Sequence, residues 1–185
     1  PDAPPSPDDE HTGFSWSAMK AAIFDPAYSR LLCVEVLIGI AIAATGSTFL
    51  FAAKDGYGVV ALAPIVLLIY FMCGFGAMPA WTWLSQRTDK HIAVICVCLW
   101  SSIAFFFYLP LSLAGGGIVL LLIGAVVSGL GYGSAPILLR SMIADLIERE
   151  KKLTGESRAG LYYSLNSAAY KVGASFGISI PYILL

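Results

Sequence analysis

The sequence predicts an all-α membrane protein with five transmembrane helices. Three observations carry that prediction. Only 12% of the 185 residues are charged, against about 25% in an ordinary soluble domain. Apolar windows long enough to cross a hydrocarbon layer of about 30 Å recur along the chain. Strand-type alternation of the kind that builds an outer-membrane barrel is absent from those windows.

The chain opens on an acidic, proline-rich run, Pro1 to Glu10, whose composition is that of a disordered linker. It lacks the basic start and small-residue cleavage site of a signal peptide. Together with an odd number of spans and an apolar C-terminus, it leads us to expect a fragment that follows a larger region. Residues 1–30 read as a cytoplasmic linker. Within them Ala18–Phe24 forms a short interfacial helix, stopped at Asp25-Pro26 because proline disfavours helix at the residue before it.

Residues 31–185 read as the transmembrane bundle, with spans at about 31–53, 59–84, 92–113, 118–143 and 161–185. The breaks carry turn chemistry: Lys54-Asp55-Gly56-Tyr57-Gly58, Ser85 to Lys90, and Gly115-Gly116-Gly117. Span four is interrupted by Gly124, Gly129, Gly131, Gly133 and Pro136, which weaken a helix and free a carbonyl a turn before the proline. After it, Asp145 to Lys152 continues as a solvated, mixed-charge helix that Gly155 terminates.

Basic residues set the orientation. Lys20, Arg30, Arg87, Lys90, Arg140, Arg149, Lys151, Lys152 and Arg158 all fall on one side, and the opposite loops hold only Lys54. By the positive-inside rule the first side, with the N-terminal segment, is cytoplasmic. We expect a multi-pass protein of a bacterial cytoplasmic (inner) membrane.

Lys171 is the most unusual residue. It lies in the otherwise uncharged stretch 161–185. A helix entering the membrane near Gly160 carries it roughly 16 Å deep, where a charged side chain costs at least ~2.5 kcal/mol on insertion scales. Ser164, Ser167, Lys171 and Ser175 are spaced to share one helix face, flanked by Asn166 and Tyr170. Serines alone fit interhelical hydrogen bonding; the lysine in the row favours a water-filled solute or cation pathway. On the other side Gly173-x-x-x-Gly177 permits close helix packing. Glu35 lies roughly 7 Å past Arg30, either on a cation or proton path or, slightly favoured, paired with a cytoplasmic basic residue.

Other chemistry is sparse. Cys33, Cys73, Cys96 and Cys98 sit in apolar segments without zinc spacing. His11 and His91 lack triad or metal partners in sequence. The chain reads as neither an enzyme nor a nucleic-acid binder, and no cofactor is called for.

The run Ser141-Met-Ile-Ala-Asp145-Leu-Ile-Glu148, then Lys152-x-Thr-Gly155-x-x-Arg158-x-Gly160-x-x-Tyr163-Ser164 and Lys171-x-Gly173, resembles the C-terminal half of glycoside–pentoside–hexuronide:cation symporters. These are melibiose-carrier-like members of the major facilitator superfamily. Asp25-Pro26 and the hairpin Ser85-Gln-Arg87-Thr-Asp89-Lys90 are also similar. The resemblance implies that the five spans are helices 7–11 of a twelve-helix fold, with an N-terminal half as partner. It implies symport of a sugar or glycoside with Na⁺ or H⁺. It places Lys171 and Ser167 near the cation site, and Asp145, Arg158, Arg87 and Asp89 in the cytoplasmic gate and loops. A carrier of lipid-like or drug-like solutes, or a non-transporting scaffold or sensor, are the alternatives.

Overall fold

The computed structural model describes residues 16–51, 60–113, 117–155 and 158–184, and every regular element among them is helical. The linker Pro1–Glu10, the turn around Gly56, and Gly115 and Gly116 lie outside the described residues.

Helix α1, Trp16–Phe24, ends where Pro26 forbids continuation, and α2, Pro26–Phe51, begins at that proline. Asp25 caps the new helix by accepting the Ala27 N–H at 3.3 Å. Proline at the first helical position costs nothing there, because its missing N–H has no intrahelical partner anyway.

A 3₁₀ turn, Val60–Leu62, leads into α3, Ala63–Arg87. The Thr88 N–H closes α3 on the Leu84 carbonyl at 2.9 Å, and α4, Lys90–Leu113, follows after two residues.

The fourth predicted span is two helices. Helix α5, Gly117–Gly129, is followed by a turn, and α6 runs Ser134–Thr154. The break differs from the expected proline kink. Pro136 sits in the first turn of α6, where its missing N–H disturbs no hydrogen bond. Gly133 makes the turn, with φ +73°, a conformation in which a side chain is strained. At 13 residues α5 spans only about 20 Å, so a complete crossing needs the break and part of α6. Gly155, at φ +77°, then ends α6 by donating its N–H to Lys151, as its position after a charged helix predicted.

Among the described residues three stretches are long and apolar enough to cross a membrane: Pro26–Phe49, Ala63–Arg87 and Ile118–Thr154. Helix α7, Ala159–Leu184, has the length but is not among them, since serines, Asn166 and Lys171 dilute its apolar content.

Packing is most extensive between α2 and α7. Helix α6 touches α2, α3, α4 and α7, and α3, α4 and α5 pack together. Three apolar clusters hold the bundle. Ile38 meets Ala93, Val97, Ala135 and Leu139 between α2, α4 and α6. Val66 meets Leu121 and Ala125 between α3 and α5. Ala22, Tyr28, Ile143, Ile147 and Tyr162 close the end that carries α1. There the Tyr28 hydroxyl donates to the Tyr162 carbonyl at 2.6 Å, and the two rings meet edge-on at 4.6 Å. Large apolar side chains such as Leu68, Met72, Phe75, Leu99, Ile103 and Phe176 point outward, the inverse of a soluble surface and the surface that lipid covers.

Candidate functional site

Helix α7 turns two different faces outward and inward. The inward face packs on α2 through glycine. A Cβ at Gly173 would collide with the Val36 carbonyl, and one at Gly177 with the Ile40 carbonyl. In return, a Cβ at Gly39 would lie 2.6 Å from the Tyr170 carbonyl. The predicted Gly173-x-x-x-Gly177 pattern is therefore half of a two-sided seam, in which each backbone fills the space the other leaves.

Alongside the seam lie the chain's two buried polar residues that reach each other. Glu35 on α2 is 3% exposed and Asn166 on α7 is 4% exposed. Asn166 Nδ2 donates to Glu35 Oε1 at 3.2 Å. Glu35 Oε2 and Asn166 Oδ1 are buried with no hydrogen-bond partner among the described residues. This corrects the slightly favoured reading of Glu35: its partner is an amide on α7, not a basic residue. The basic residue that comes near, Arg140 on α6, is exposed and forms no ion pair with the buried carboxylate.

The outward face carries Ser164, Ser167, Lys171 and Ser175, all exposed. Ser164 donates to the Leu161 carbonyl and Ser175 to the Lys171 carbonyl, each at 2.9 Å. These hydroxyls are satisfied within α7, so they do not bind a neighbouring helix. The Lys171 ammonium makes no hydrogen bond or ion pair among the described residues. Asn166 and Tyr170 do not share this face. Asn166 points into the seam, and Tyr170 is half-buried with its carbonyl against Gly39.

The charged end forms a separate set of links. Lys90 at the start of α4 pairs with Asp145 on α6. Arg158 approaches Glu150 at 3.7 Å, joining the start of α7 to α6. Glu148 and Lys152 pair one turn apart at 2.8 Å. Arg87 lies over the Trp83 ring, 4.6 Å from its centroid, and Asp89 lies 4.0 Å from His91. Of the four predicted gate residues, Asp145 and Arg158 bridge helices, whereas Arg87 and Asp89 interact with near neighbours in sequence. No group of three or more His, Cys, Asp or Glu side chains converges among the described residues.

Sequence reasoning missed the support of the α5–α6 break. Trp81 Nε1 donates to the Leu130 carbonyl at 2.7 Å, and Trp100 Nε1 to the Val127 carbonyl at 3.0 Å. A broken helix frees carbonyls that need donors, and indole N–H groups from α3 and α4 supply them. Tyr132 in the break packs on Tyr70 and Phe71, with ring centroids 4.9 and 5.1 Å away. The usable signal was a glycine-rich span in a chain whose second and third spans carry tryptophan.

A family model described as MFS/sugar transport protein matches residues 3–185. No curated protein and no solved structure matches the chain.

Proposed function

The chain belongs to the MFS/sugar transport protein family, within the major facilitator superfamily of membrane transporters, and from that premise we propose that it forms helices 7–11 of a secondary carrier that moves a sugar or glycoside together with Na⁺ or H⁺. Transport proceeds by alternating access, with two halves rocking around a site near the bilayer midplane. The proposal includes a bacterial inner membrane with the α1 end cytoplasmic, which fits the basic residues gathered there.

Lys171 carries this reading. It lies about 18 Å along α7 from Ala159, exposed in a row of serines and without a partner among the described residues. An ammonium at that depth is stable only beside water, a counter-ion or a polar solute. Its role is electrostatic: it pairs with an acidic residue of the other half, or occupies the space that the coupling cation takes when it binds. The surrounding hydroxyls suit a polar solute. The ion pairs Lys90–Asp145 and Arg158–Glu150 brace the cytoplasmic ends of α4, α6 and α7.

The test is uptake of labelled glycosides into proteoliposomes holding the full-length protein, under imposed Na⁺ or proton gradients. Lys171→Leu abolishes the cation dependence of uptake. Uptake that stays fully cation-coupled in that variant removes Lys171 from the pathway. Competition by amphiphiles but not by sugars shifts the solute to the lipid-like class.

A further inference from the structure

The α2–α7 seam holds a carboxyl group whose surroundings suit only one of its two protonation states. Glu35 and Asn166 are each more than nine-tenths buried by this chain's own helices. One hydrogen bond joins them, from Asn166 Nδ2 to Glu35 Oε1. The two atoms left over, Glu35 Oε2 and Asn166 Oδ1, are both acceptors when the carboxyl is ionised, and neither has a donor among the described residues. An ionised carboxylate there keeps a full charge out of water with a single neutral hydrogen bond, and it leaves the amide oxygen bare.

A proton on Oε2 removes both defects. A carboxylic acid and a carboxamide are complementary: the acid carbonyl accepts the amide N–H, and the acid O–H donates to the amide oxygen. The bond already present is the first of that pair. The charged and titratable groups near enough to interact with Glu35 are Arg140 on α6, Tyr28 on its own helix and Tyr170 on α7. The Tyr28 hydroxyl is committed to the Tyr162 carbonyl, and Arg140 is exposed. A divalent metal ion would draw on about six oxygens, whereas the two orphaned here suffice for a single proton.

We infer that Glu35 and Asn166 form an acid–amide pair that binds one proton between α2 and α7, and that this is a proton-coupling site of the carrier. The coupling role rests on the transport reading above; the protonation of Glu35 does not. The step is a simple proton transfer. Water delivers the proton to Oε2 when α2 and α7 part on that side, and takes it back from the same oxygen, leaving the carboxylate bonded to Nδ2. The glycine seam sets how far the helices must part, because backbone contact leaves no side chain to retract.

The decisive measurement is infrared spectroscopy of the full-length protein in lipid nanodiscs at neutral pH, with ¹³C-labelled glutamate. The labelled acid-carbonyl band of the wild type loses one residue's intensity in Glu35→Gln. An unchanged band places Glu35 as a carboxylate and overturns the inference. Glutamine reproduces the pairing, with an N–H in place of the acid O–H, so Glu35→Gln melts with the wild type; a variant that fails to fold also overturns it. In proteoliposomes Glu35→Gln loses its dependence on an imposed pH gradient, and retained dependence overturns the coupling role. If the wild type moves no solute while the infrared band is present, the transport reading falls and the proton site stands.

Discussion

Along α7, Asn166, Gly173 and Gly177 are buried on α2, while Ser164, Ser167, Lys171 and Ser175 point the opposite way. At 100° per residue the two sets lie about half a turn apart. The buried face has its partners within this chain: Val36, Gly39 and Ile40 receive the glycines, and Glu35 receives Asn166. The outward face has no hydrogen-bond or ion-pair partner beyond its own helix among the described residues. The same helix thus carries one surface whose chemistry is complete and another that waits for a solute, an ion or a second protein surface. What differs is the use of polarity. On the buried face two polar side chains meet each other, and on the outward face an ammonium has no hydrogen bond or ion pair among the described residues.

That comparison breaks most easily at the seam. Gly173→Ile drives a branched side chain into the Val36 carbonyl and destabilises the protein by about 3 kcal/mol or more, with loss of monodisperse protein on size exclusion. Wild-type yield and melting in that variant would show that the helices are not in backbone contact. Asn166→Leu comes next. It leaves Glu35 buried without its amide and costs about 1–3 kcal/mol in thermal unfolding. Trp81→Phe keeps an aromatic ring but withdraws the donor to the Leu130 carbonyl, for a loss of about 1 kcal/mol. This change tests whether the α5–α6 break is as self-contained as the seam. Lys171→Leu stands at the other end of the scale. Its effect on unfolding stays within about 0.5 kcal/mol, because the side chain is exposed and holds no hydrogen bond or ion pair among the described residues. A large loss of stability there would move Lys171 from the unfinished face to the finished one.

Much of this architecture was legible before any coordinates. Asp25-Pro26 marked the α1–α2 boundary through proline's effect on its predecessor, and Gly155 marked the end of α6 through its freedom to adopt positive φ. The glycine pair on α7 announced close packing. Its reciprocal partner, Gly39 on α2, is revealed only by the docked helices. The exposed stripe followed from spacing alone, since period 3.6 sorts Ser164, Ser167, Lys171 and Ser175 to one side. Asn166 and Tyr170 were grouped with that stripe because they neighbour it in sequence, yet Asn166 lies on the buried face. Helical neighbours in sequence point in different directions, and only the position of α2 reveals which direction is inside.

What is local was legible in the sequence: the stops at Asp25-Pro26 and Gly155, the membrane as solvent, the superfamily and the uncharged surroundings of Lys171. Each depends on hydropathy, on dihedral limits of proline and glycine, or on a motif read within one segment. The tertiary structure alone decided the pairings: Glu35 with Asn166, Trp81 with the Leu130 carbonyl, Lys90 with Asp145, and Gly173 with the backbone at Val36. These partners lie far apart in the chain. No local rule selects which of several buried acceptors a given donor will meet. That choice is made when helices dock and every buried polar group must find what the neighbouring helix presents.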